Sequence, residues 1–320
     1  MAFLTFLLLA VVLRPVWRLL DIAMPDGPHA TQGFRTPVIG GLALWGAIAA
    51  AWWWRPDDVD LPAIILGLLA LRLLAAPADR GLGWTNIAML LVDVIVCAAI
   101  VQQRQGNALE LDDILATLGG VAVLQGVYRL RSLDGLGAMV LCIALSALSF
   151  MTAGTAHWLS ATGAAAAAGL LALNLPFRIN RAFRIQSGQG GTALLALLFG
   201  IAALQMDADG SDSGLTPMHL LWLMPLPFCE LLRLAAGQQT SHERLLGAGF
   251  SVTAIFILYA VMTLLPAIAL IAAPSLPPPL LLLVIFAALV GIWFAVVRQA
   301  PRLMWLLPWQ MRRIDVIHKD

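Results

Sequence analysis

The sequence predicts an all-α fold: a polytopic membrane helix bundle of about eleven transmembrane helices, N-terminus outside and C-terminus inside. Three observations predict it. Apolar residues make up 61% of the 320 and charged residues only 12%, about half the charged fraction of a soluble domain. The apolar residues fall into successive runs of about 20, the length a helix needs to cross a bilayer. The few charges sort by sign onto alternate connections.

In order, the runs cover roughly 2–20, 37–54, 61–76, 85–101, 113–128, 135–154, 158–175, 191–206, 217–236, 246–272 and 280–297. The first has no basic flank before it and is followed by Arg14 and Arg18, so it reads as a retained span, not a cleaved signal. The fifth and eighth are short. Pro225, Pro227 and Pro266 interrupt the ninth and tenth.

Short cytoplasmic connections collect Lys and Arg. With the N-terminus outside, 17 of the 19 basic residues fall on one face, and only Arg55 and Arg104 on the other. The opposite face receives Asp57, Asp58, Asp60, Glu110, Asp112, Asp113, Asp207, Asp209 and Asp212. This pattern fixes the expected orientation. A formal net charge of +1 gives no sign of a nucleic-acid partner.

Cys97, Cys142 and Cys229 all lie within apolar runs, so they read as core residues, not as disulfides or metal ligands. Trp17, Trp52, Trp53, Trp54, Trp84, Trp158, Trp305 and Trp309 lie near span ends and read as an interfacial belt. After a single transmembrane domain, 1–299, residues 300–320 interleave Trp305, Leu306, Trp309 and Met311 with Arg302, Arg312 and Arg313. Such a segment suits a cytoplasmic amphipathic tail on an anionic leaflet.

The inner loops are richer than turns. They read DGPHATQGFRTPVIGG (26–41), ADRGLGW (78–84), QGVYRLRSLDGLG (125–137), PFRINRAFRIQSGQGGT (176–192) and GQQTSHERLLGAGF (237–250). Their order and spacing resemble the polyprenyl-phosphate N-acetylhexosamine-1-phosphate transferases, a membrane family that moves a sugar-1-phosphate from a UDP-sugar onto undecaprenyl phosphate. Gln32, Gly33, Thr36, Pro37, Gly40 and Gly41 match the family's H-Q-G-x-x-T-P-x-x-G-G stretch. Ala78 and Asp79 stand at its D-D pair, and Asp134, Gly135 and Leu136 match the end of N-x-x-N-x-x-D-G-x-D-G-L-A. Residues 186–191 resemble M-G-D-x-G-S, and 240–243 resemble H-x-H-H.

The resemblance implies envelope polysaccharide or glycolipid biosynthesis at a bacterial inner membrane. It also implies carboxylates that hold Mg²⁺ against a pyrophosphate. Here the departures fall on those carboxylates. Ala78 replaces the first Asp of the pair, Arg131 the first Asp of the second motif, and Gly188 the Asp of the third. Gln125 and Tyr128 replace the two Asn, and His242 alone survives of three His. Arg131 puts a cation where the metal belongs. The expectation is a catalytically silent relative with no metal site and no cofactor, in which Asp79, Asp134 and His242 are vestigial. His242 reads as a solvated loop residue beside Glu243 and Arg244.

The expected ligand is polyprenyl phosphate or another membrane lipid, with a membrane protein partner or a homodimer as further possibilities. Arg35, Arg131, Arg178, Arg181, Arg184, Gly188 and Gly190 are the candidate phosphate-binding residues. The three arginines at 178, 181 and 184 share a face on a helical turn. One alternative is an active transferase using Mg²⁺ with Asp79, Asp134, Glu230 or Asp93; another is a transporter or flippase built on Asp93. Asp93 is the charge lying well inside a run, and an intramembrane carboxylate points either to proton coupling or to a pair with Arg72. The stretch 163–169, GAAAAAG, permits close helix approach, as packing or as a dimer face.

Overall fold

A computed structural model of the chain describes residues 1–19, 40–57, 59, 63–75, 83–105, 111–132, 135–174, 188–208, 217–272 and 278–303. The described part is helical throughout: α1 (Ala2–Leu19), α2 (Gly40–Trp53), α3 (Ile64–Ala75), α4 (Gly83–Gln105), α5 (Leu111–Tyr128), α6 (Leu136–Met151), α7 (Gly154–Asn174), α8 (Gly188–Ala208), α9 (Pro217–Leu223), α10 (Pro225–Ala235), α11 (Ser241–Gly247), α12 (Val252–Ala272), α13 (Pro279–Arg298) and α14 (Ala300–Leu303). A 3₁₀ turn, Arg129–Ser132, follows α5.

Eight apolar runs each become one helix, α1 to α8. The ninth does not. Proline lacks an N–H and its ring crowds the carbonyl four residues back, so Pro225 cannot continue α9. Met224 leaves helical geometry (φ −123°, ψ 41°). Its N–H bonds Leu221 O at 3.0 Å, and α10 restarts with Pro225 at its first position, where no N–H is needed. The tenth run is also corrected, because its first residues belong to α11. That short helix stops at Gly249 (φ +97°), where Gly249 N–H bonds Leu246 O at 3.0 Å and Phe250 N–H bonds Leu245 O at 3.1 Å. This is the double closure of a helix C-terminus that a left-handed glycine permits. Pro266, by contrast, is contained within α12.

α8 is the axis of the bundle. It touches α2, α3, α4, α5, α6 and α7, and every residue from 190 to 199 is buried, as expected of a helix apolar on all sides. The small-residue stretch of α7 packs closely inside this chain. A Cβ at Gly163 would meet Leu145 of α6 at 3.0 Å and Leu198 of α8 at 3.4 Å, and one at Gly169 would meet Phe6 of α1 at 2.7 Å.

The outer helices invert the soluble pattern. Leu4, Leu8, Val11 and Val12 of α1, Ile257, Val261, Leu264, Leu265 and Ile268 of α12, and Leu280, Leu281, Leu283, Val284 and Ile292 of α13 are all exposed. Among the described residues, three helices, Gly154–Asn174, Val252–Ala272 and Leu280–Arg298, are long and apolar enough to cross a membrane, and shorter apolar stretches lie in α1 to α6 and α8. Trp53 and Trp54, at the end of α2, are also exposed.

Between α9 and α13 the indole of Trp222 donates to Leu282 O at 2.8 Å in a buried setting. Trp222→Phe removes this bond. The expected cost is about 1 kcal/mol, the net worth of a buried hydrogen bond, read as a lowered Tm of the full chain in detergent.

Candidate functional site

The polar centre of the bundle is built from α3, α4 and α5. Arg72 lies in the last turn of α3, Asp93 in the interior of α4, and Gln125 and Tyr128 three residues apart near the end of α5. The i, i+3 spacing puts Gln125 and Tyr128 on one face, and both reach Asp93. Arg72 Nε donates to Asp93 Oδ1 at 2.6 Å, and both side chains are fully buried. Tyr128 O–H donates to the same oxygen at 3.0 Å. Gln125 Nε2 donates to Oδ2 at 3.1 Å. Arg72 Nη2 donates in turn to the Tyr128 oxygen, and its guanidinium lies over the Tyr128 ring, 5.0 Å from the centroid.

Both carboxylate oxygens are thus occupied, and the ion pair is closed by two neutral side chains. Of the two readings of Asp93, the interhelical pair with Arg72 is what the structure contains. Chemically, the arrangement holds a charge pair in an apolar bundle and ties three helices together. Among the described residues, Arg72, Tyr128 and Gln125 are the donors to Asp93.

Just beyond Tyr128, the flanks of two loops converge. Gly135 precedes α6 with φ +85°, a conformation glycine adopts without strain. A Cβ there would stand 3.2 Å from Cβ of Asn174, the last residue of α7. A Cβ on Gly137 would stand 2.8 Å from Thr192 Cγ2 in the first turns of α8. The described residues next to Asp134, Arg178, Arg181 and Arg184 in the sequence are therefore neighbours. Those four residues, with Arg35 and Asp79, lie outside the described residues. Arg131 belongs to the 3₁₀ turn, with its side chain outside the described part. Of the two candidate glycines, Gly188 begins α8 and Gly190 is buried within it. Among the described residues no three His, Cys, Asp or Glu come together.

His242 is not a solvated loop residue. It lies in α11 with no exposed surface, and its Nε2 is 3.1 Å from Thr240 Oγ1. Burial follows from the capping box that starts α11, in which Glu243 N–H bonds Thr240 Oγ1 at 3.4 Å and Thr240 N–H bonds Glu243 Oε2 at 3.0 Å. The box turns Thr240, Ser241 and His242 inward.

Sequence reasoning missed a second polar cluster. Glu230 of α10, Ser241 of α11, Tyr259 of α12 and Trp293 of α13 meet in a core of Leu226, Leu245, Ile255 and Phe256. Glu230 was read only as one of four possible catalytic carboxylates. The spacing of Glu230, Arg233 and the Thr240 box was the available signal, but it does not announce burial. Cys97 and Cys229 are buried and Cys142 half-buried, all as free thiols, as expected of core residues.

A scan against protein-family models and a search of curated proteins each found no match to the chain.

Proposed function

We propose that the chain is a multi-pass protein of a bacterial inner membrane, with eleven spans and its C-terminus inside. In this reading it is a catalytically silent relative of the polyprenyl-phosphate sugar-1-phosphate transferases. It binds polyprenyl phosphate or a like lipid phosphate at the inner face, in an envelope polysaccharide or glycolipid pathway. The loop motifs supply the resemblance, and the convergence of Gly135, Asn174 and Thr192 supports a shared inner-face site.

One observation carries the silent reading. Gln125 and Tyr128, which stand where the family motif has its two Asn, are spent on the buried Asp93 and Arg72. Glu230 is likewise enclosed by Ser241 and Tyr259, so two of the four carboxylates available to an active transferase are already committed.

The test is native mass spectrometry of the purified chain with undecaprenyl phosphate. The expected result is a one-to-one adduct that is weakened at least about tenfold when Arg178, Arg181 and Arg184 are together changed to Gln, since each charged hydrogen bond contributes on the order of 1.5–3 kcal/mol. Equal binding by the triple variant would remove the phosphate-clamp role. Absence of any adduct would overturn the proposal.

A further inference from the structure

Residues 237–249 form a strap between two left-handed glycines, Gly237 (φ +64°) and Gly249 (φ +97°). Its approach, 234–239, is exposed, whereas Thr240, Ser241, His242 and Leu245 are buried. The strap therefore has an exposed side and a covered side, and its middle is the seven-residue α11.

Glu230 is the centre of the bonds that fasten it. Ser241 N–H donates to both oxygens of Glu230 at 3.1 Å. Tyr259 O–H donates to Glu230 Oε1 at 3.1 Å. Trp293 Nε1 donates to Ser241 Oγ at 3.1 Å, and the rings of Tyr259 and Trp293 stack edge to face with centroids 4.8 Å apart. Arg233 Nε holds the approach by donating to Gln239 O at 2.8 Å.

We propose that residues 237–249 are a lid, with Glu230 as its catch and Tyr259 and Trp293 as the posts on which it closes. A permanent cover over an apolar core is more stably made with apolar side chains, because buried charged groups are often replaced by them at no loss. Here the covered side carries polar groups beside Leu245: Glu230, Arg233, Ser241, His242 and Tyr259 are all buried beneath or along it. Opening at the two glycines bares that polar lining without disturbing the bonds inside α10 and α12. The catch lies on α10, α12 and α13, apart from the Arg72–Asp93 network, so the lid does not depend on the lipid-binding reading.

The experiment uses the full chain in proteoliposomes with Leu245→Cys as reporter. Its maleimide labelling is resolved by peptide mass from that of the native thiols. Leu245 is fully covered and Cys97 lies in the separate main core. In this background Glu230→Gln and Tyr259→Phe are each expected to raise labelling at position 245 by roughly tenfold, equivalent to about 1.4 kcal/mol, with Cys97 labelling unchanged. Unchanged labelling at 245 in both variants makes the strap a static cover and overturns the proposal. A parallel rise at Cys97 reports general loosening and overturns it equally.

Discussion

Asp93→Leu is expected to cost about 3–5 kcal/mol, because it strands a buried guanidinium without its counter-charge. Arg72 is fully buried and Asp93 is its counter-charge among the described residues, so no solvent takes over the lost partner. Arg72→Leu carries a similar penalty from the other side, leaving a carboxylate with only Gln125 and Tyr128 as donors. The double variant Arg72→Leu/Asp93→Leu is expected to recover most of the loss, since neither charge is then buried alone. A double-mutant cycle read by unfolding of the chain in mixed micelles measures the coupling. Losses that simply add would show that the two charges do not depend on each other. Tyr128→Phe, which removes the O–H linking both groups, should fall between wild type and the single charge variants.

The second large effect comes from a contact with no side chain on one partner. Gly126 of α5 faces α10 so closely that a Cβ would stand 2.2 Å from Pro227 O and 2.7 Å from Pro227 C. Both are backbone atoms at the start of a helix that Pro225 already constrains, and neither can swing away. Gly126→Ala must therefore force α5 and α10 apart, at a cost of about 1–3 kcal/mol for a single overpacked methyl and more if α9 and α10 lose their setting. Gly119, two turns earlier on α5, has nothing within 4 Å of its Cβ position. Gly119→Ala should be neutral or stabilising by about 0.5–1 kcal/mol. Opposite signs for one substitution on one helix are the expected result of a thermal-shift comparison. Equal effects would contradict the close approach.

Element positions were legible in the sequence wherever a run was apolar throughout, because length and hydropathy alone define such helices. The prolines of the ninth run signal an interruption, and the structure shows its form: Pro225 ends one helix and begins the next. The tenth was misread at its start because α11 is amphipathic and shares its last residues with the apolar run. Asp93 was legible as a lone charge in an apolar stretch, and Arg72 was the available counter-charge. Gln125 and Tyr128 were not legible as its partners, because neutral polar residues at a span end give no charge signal. For the same reason His242 and Glu230 were read as surface or catalytic groups: a polar residue in a short connection looks solvated until the covering helices are placed. The small-residue stretch of α7 signalled close packing correctly, but sequence could not say that its partners were α1, α6 and α8.

In the proposed reading the chain keeps the lipid-phosphate site of a transferase without its reaction. Release of UMP tests it most directly, using the purified full chain, Mg²⁺, undecaprenyl phosphate and a panel of UDP-N-acetylhexosamine donors. The account predicts no release above a no-protein control for any donor. UMP release that requires the lipid acceptor and is abolished by Asp134→Asn would contradict it.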